Sequence, residues 1–186
     1  MRNGRLDILA ANRLARALHS PAFEGTAEPV NLAQFCFLDA RAPVFFPDWE
    51  VVAVNTVALL RTEAGRDPYD KSLTDLIGEM STRSETFRQL WAAHEVRLRR
   101  RGTKRFHHPA VGCLELTFEA LPVTSDPHLT LDTYTAAPGS PSADSLALLA
   151  SWAATQTVED GAAADAAHGA AAGSPTTEPT SRRNRS

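Results

Sequence analysis

Apolar positions between residues 48 and 94 recur at helical spacing. Trp49, Val52, Ala53, Thr56, Leu59 and Leu60 share one side of a helix expected over Asp48 to Ala64. Pro47 suits its start and Gly65 its stop. Leu73, Leu76, Ile77 and Met80 repeat i, i+3, i+4, i+7, and Phe87, Leu90, Trp91 and His94 do so again behind Ser84 as N-cap. His94 therefore occupies a place where the pattern asks for an apolar side chain. Beyond Gly112 the period drops to two. Leu114, Leu116, Phe118 and Ala120 alternate with Cys113, Glu115, Thr117 and Glu119, which marks a half-buried strand over 113–121. Flanking strands over 103–108 and 128–135, joined through Ala110-Val111-Gly112 and Ser125-Asp126-Pro127, complete an antiparallel meander.

The first forty residues are less regular. A short strand is expected at Leu6–Ala10 after the Asn3-Gly4 turn, then a helix from Asn12 to about His19. Residues 20–30, with Pro21, Gly25 and Pro29, read as loop. Asn31 opens a second helix with Leu32, Phe35 and Cys36 inward, and the run PVFFPD breaks it. At the other end Pro138-Gly139-Ser140-Pro141 closes the sheet and starts a helix over 142–155, docked through Leu146, Leu149, Ala150 and either Trp152 or Ala153. Residues 156–186 turn to Ala, Gly, Ser, Thr and Pro, with no large apolar residue after Val158. Such a segment cannot bury enough surface to offset its ordering entropy, so a disordered tail is expected after a domain over 1–155. Helices grouped on one face of a small antiparallel sheet indicate an α+β, sensor-like fold.

Composition narrows the chemistry. The chain of 186 residues is 43% hydrophobic with a formal charge of -3, which carries no overall nucleic-acid signature. No apolar run reaches the ~18 residues of a membrane span, and the N-terminus has no secretory pattern. Cys36 and Cys113 lie far apart in apolar segments and read as buried small hydrophobes, in line with a reducing cytoplasm. GxSxG, HExxH, CxxC, P-loop and GxGxxG patterns are missing, so neither catalysis nor a cofactor is indicated. His94, His107, His108 and His128 could converge on a metal, but adjacent His107 and His108 point to opposite faces of a strand. His94 reads either as a hydrogen-bonded core histidine or as a polar group at a ligand pocket. Arg97, Arg99, Arg100, Arg101, Lys104 and Arg105 make a basic run without a surrounding helix-turn-helix pattern. It reads first as a solvated face. One or two of its members, Arg97 or Lys104, could instead pair with the carboxylate of an anionic ligand at a pocket mouth.

Six blocks, in order, carry a resemblance: NGRLDILAANRLARAL, NLAQFCFLD, FPDWEVVAVNTVALLRTEAGRDP, RSETFRQLWAAHEV, GTKRFHHPAVGCLELTFEAL and YTAAPGSPSADSLALLASWAA. Together, over about residues 3–155, the chain resembles the ligand-binding domain of MmyB-like transcription regulators, bacterial and largely actinobacterial proteins of the Xre helix-turn-helix type. The resemblance implies a PAS-like domain enclosing a small apolar ligand, with fatty acids the leading class. Matching motif positions are Trp91, His94, Lys104, Phe106, His108, Pro109, Gly112, Pro138, Gly139 and Pro141. It brings no catalytic residue. In that family the sensor follows an N-terminal DNA-binding domain, which this sequence lacks together with the strand before LDILAAN. Met1 thus reads as an internal methionine, a misplaced start or the remnant of a decayed gene, and Leu6–Ala10 as a strand with an unpaired edge.

The expected pocket lies between the helices and the inner sheet face. Its candidate residues are Trp91, His94, Arg97, Phe106, His108, Leu114, Leu116 and Phe118. The expected partners are a small apolar ligand and a second copy of the chain, with DNA reached only through the missing domain and no membrane contact. The alternative is a ligand-free dimerisation module in which the same residues form a closed core.

Overall fold

A computed structural model describes residues 1–93 and 98–155. The order is α1 (Arg13–Leu18), α2 (Ser20–Phe23), α3 (Leu32–Leu38), α4 (Ala42–Phe45), α5 (Trp49–Arg66), α6 (Lys71–Arg83), α7 (Glu85–Ala92), β1 (Arg101–His108), β2 (Gly112–Val123), β3 (Asp126–Thr135) and α8 (141–155). The three strands form one antiparallel sheet in the order β1-β2-β3. The fold is α+β, as the change of period from 3.6 to two implies. The tail expected over 156–186 lies outside the described residues.

Strand alternation decides which sheet face is covered. Phe106 and His108 on β1, and Leu114 and Leu116 on β2, are buried, whereas Arg105, His107, Cys113, Glu115 and Thr117 face outward. The inner face packs with Phe35, Phe45, Phe46 and Leu149 into one core, and α5, α6 and α7 share a second around Leu60, Leu73, Met80 and Phe87. Caps fall where short polar side chains can take the free amides. Asn12 accepts from Ala15 N–H, Ser84 from Phe87 N–H, and Asn31 from both Ala33 and Gln34 N–H. β2 runs on past the end of β3, whose pairing ends at Thr117–Thr135. There Ser142 Oγ accepts from Glu115 N–H at 2.8 Å, so α8 starts against the sheet.

Several expectations are corrected. Leu6–Ala10 is not a regular strand, because Leu6 takes φ +70° and breaks the extended run. Asp7 N–H instead donates to Asn3 Oδ1 (3.0 Å), and single bridges join Asp7 to Asn31 and Arg2 to Thr130. Arg2 and Thr130 exchange backbone hydrogen bonds of 2.9 Å each way, so this segment lies along β3. Residues 20–23 and 42–45 form single helical turns, for Pro21 and Pro43 sit at first-turn positions that need no amide. α5 runs through Gly65 to Arg66 and stops where Asp67 is held out of the α region by Pro68. Cys36 is buried, but Cys113 is exposed, carried by alternation to the outer face, where its Sγ stands 3.4 Å from His107 Nδ1. In α8 the buried residues are Leu149 and Ala153; Ala150 and Trp152 are exposed.

Candidate functional site

Helix α5 crosses the inner sheet face with short side chains on both sides of the gap. Val52 and Thr56 face it from the helix, and Gly102 and Ala120 from the sheet. A Cβ at Gly102 would stand 3.3 Å from the Phe118 ring, its cross-strand partner, so glycine there lets that ring lie against β1. The space left is a cavity of about 340 Å³, within the roughly 300–1,000 Å³ of small-molecule sites. Leu6, Leu32, Phe46 and Leu59 add apolar wall. Asp48, bound to Arg105 through Arg105 Nε at 2.6 Å, and exposed Arg99 stand at its open side.

Lys104, Asp132 and Tyr134 from the sheet and Arg2 from the N-terminal segment bring polar groups into this lining. Arg2 Nε donates to Asp132 Oδ2 at 2.7 Å, so that pair satisfies itself. The Tyr134 hydroxyl makes no hydrogen bond to a described residue, and burial raises its phenol pKa above the usual value. Lys104 is different again. Its Nζ lies 4.5 Å from the Phe46 ring centroid and 5.4 Å from that of Phe106, with no hydrogen bond or ion pair to a described residue. Burial pushes it down to about 8; the neighbouring Cys36 and Asp132 oppose the shift and Arg2 adds to it. The same crowding acts on His19, which burial and then the Lys104 charge lower to about 4, while its Nδ1–H donates to Ala15 O at 3.1 Å.

Of the eight residues expected at the pocket, the structure places Phe118 in this lining. Phe106, Leu114 and Leu116 are closed core, each at 1% exposure or less. His108 ties β1 to α1: its Nδ1 accepts from Ala110 N–H (3.2 Å) and its Nε2–H donates to Ala17 O (2.9 Å). Trp91 belongs to the other core, stacked on Phe87 at 5.6 Å, with the Arg61 guanidinium 4.5 Å from its ring centre. His94 and Arg97 lie outside the described residues. Val52 and Thr56 were expected on the buried stripe of α5, and both line the cavity. Arg2, Asp132 and Tyr134 were not expected there. For Lys104 a signal exists, since period two on β1 puts it on the same face as Phe106 and His108.

Among the described residues no group of three or more His, Cys, Asp or Glu is placed to hold a metal ion. His107 and His108 face opposite sides of the sheet, and His128 Nδ1 instead meets Glu63 at 2.7 Å. No helix among them is long and apolar enough to cross a membrane.

A helical layer over one face of a small antiparallel sheet, with a cavity between them, defines an α+β domain. The family model for the MmyB-like transcription regulator ligand binding domain matches residues 1–149, and the chain belongs to that family. No curated protein matches the chain.

Proposed function

We propose that the cavity between α5 and the sheet receives a small apolar molecule bearing an acid group, with fatty acids the leading class, and that Lys104 binds the acid. The observation that carries this reading is the Lys104 amine itself, which lines the cavity over two aromatic rings with no hydrogen bond or ion pair to a described residue. A buried charge is costly unless paired, and a carboxylate arriving with an alkyl chain supplies both the counter-charge and the apolar fill. The helix-over-sheet layout supports a PAS-like sensor. In a regulator carrying a DNA-binding domain, the ligand shifts the balance of DNA-competent and incompetent states only as far as its affinities for them differ.

Calorimetric titration with saturated acids of increasing length tests this. Each methylene buried contributes about 0.8 kcal/mol, so affinity is expected to rise about fourfold per carbon until the cavity is full. Val52→Phe fills the space from the helix side; it is expected to cut affinity at least tenfold while leaving the circular dichroism spectrum unchanged. No binding at any chain length, or full affinity in the Val52→Phe variant, overturns the proposal. A dimer that binds no acid would favour the ligand-free interaction module instead.

A further inference from the structure

The chain carries seventeen arginines and two lysines. Lys71, on the surface, has its side chain 85% exposed and bound to Asp75 at 2.6 Å. The other is Lys104, set in the cavity wall. Arginine stays charged under all ordinary conditions, whereas a lysine amine can give up its proton and become a nucleophile. At this position the choice matters. The amine looks into a space walled by Phe46, Val52, Leu59 and Phe118, and its neighbour Asp132 is already engaged by Arg2.

We infer that Lys104 is a covalent capture site for lipophilic aldehydes, forming an imine with a medium-chain alkanal seated in the cavity; this rests on the reading that the cavity admits apolar chains. The neutral amine attacks the aldehyde carbon, and a proton passes from nitrogen to the alkoxide to give the carbinolamine. Loss of that hydroxyl as water, with the second nitrogen proton, leaves the C=N bond, so amine plus aldehyde becomes imine plus water and no oxidant or reductant is required. Two features favour the product. The apolar wall holds the alkyl chain with its carbonyl beside the amine, raising the effective concentration. The alkyl chain, once seated, also fills the space beside the imine and limits the return of water that would hydrolyse it. With its pKa near 8, Lys104 carries a larger neutral fraction at pH 7.5 than an exposed lysine.

The full chain is incubated with decanal and sodium cyanoborohydride at pH 7.5, and the reduced alkyl adducts are mapped by peptide mass spectrometry. Lys71 and the Met1 amine serve as internal references. Lys104 is expected to be alkylated at least tenfold faster than Lys71. An excess of decanoic acid should suppress labelling at Lys104 and leave Lys71 unaffected, and Lys104→Arg should lose the fast adduct. Glycolaldehyde, which has no chain to bury, should show no such preference. Decanoic acid binding without preferential labelling of Lys104 would sink covalent capture and leave the acid-binding reading in place. Preferential labelling that decanoic acid neither competes with nor binds beside would keep capture and remove the acid. If decanoic acid fails to bind and Lys104 reacts no faster than Lys71, both ideas fall.

Discussion

Phe106→Ala is expected to destabilise the domain by about 3–5 kcal/mol, the range for emptying a buried aromatic site. Phe106 is fully buried, and four rings surround it: His19 at 5.8 Å, Phe45 at 5.5 Å, Phe46 at 5.8 Å and Tyr134 at 5.7 Å between centroids. Those rings come from α1's C-terminal cap, α4, the segment after it and β3, so no single element can move in to close the void. Against a total stability of about 5–15 kcal/mol the loss is a large share, and urea unfolding of the two proteins measures it directly. A loss under about 1 kcal/mol would mean that the cluster collapses around the gap and that Phe106 is not the centre of the core. The same change also removes one of the two rings beneath Lys104.

Lys104→Met is expected to move stability and binding in opposite directions. Wild-type Lys104 has a folded pKa near 8 against 10.5 in the unfolded chain, so between these values the unfolded chain holds the extra proton. Stability therefore rises as pH climbs from 8 to 10.5, and the full cost of the desolvated charge is present below pH 8. Methionine removes that cost, so the variant should melt higher than wild type at pH 7 and lose the rise in stability between pH 8 and 10.5. Its affinity for a fatty acid should fall at least tenfold at pH 7. In the wild type, acid affinity should weaken as pH passes 8, while imine formation with decanal accelerates over the same interval. A variant that melts lower than wild type and still binds acid would show that Lys104 is held by packing alone.

The secondary elements were legible because most carry a periodic signal. Leu73 to Met80 and Leu114 to Ala120 could be placed on a helix and a strand from spacing, and Asn12, Asn31 and Ser84 could be placed as caps from chemistry. The N-terminal segment was not legible. LDILA looks like a strand, and only its contact with Asn31 and the turn made by Asn3 send Leu6 into the left-handed region. The candidate site was partly legible for a related reason. An apolar residue on an inward face can complete a core or line a cavity, and spacing does not distinguish the two. Leu114 and Leu116 meet Phe106 and Leu149 and close up; Phe118, two residues further along the same face, sits opposite Gly102 and Val52 and stays open. That difference comes from the size of the facing residues, which belong to other elements. Arg2, Asp132 and Tyr134 were missed because they meet only through the pairing of residue 2 with Thr130, some 130 positions away.

That pairing couples the far end of the segment to whatever fills the cavity. Arg2 and Leu6 belong to the cavity wall, and Arg2 is held by backbone bonds to Thr130 and by the Asp132 carboxylate. An occupant that touches these side chains favours the docked arrangement of residues 2–8 over the released one. Reciprocity then requires that a pull on Met1 strong enough to free the segment weaken the occupant by the same factor. The amide of Arg2 reports this directly: its hydrogen exchange should slow on loading with decanoic acid by the ratio in which the acid prefers the docked form. An unchanged rate at saturating acid would mean that the wall and the occupant are energetically independent.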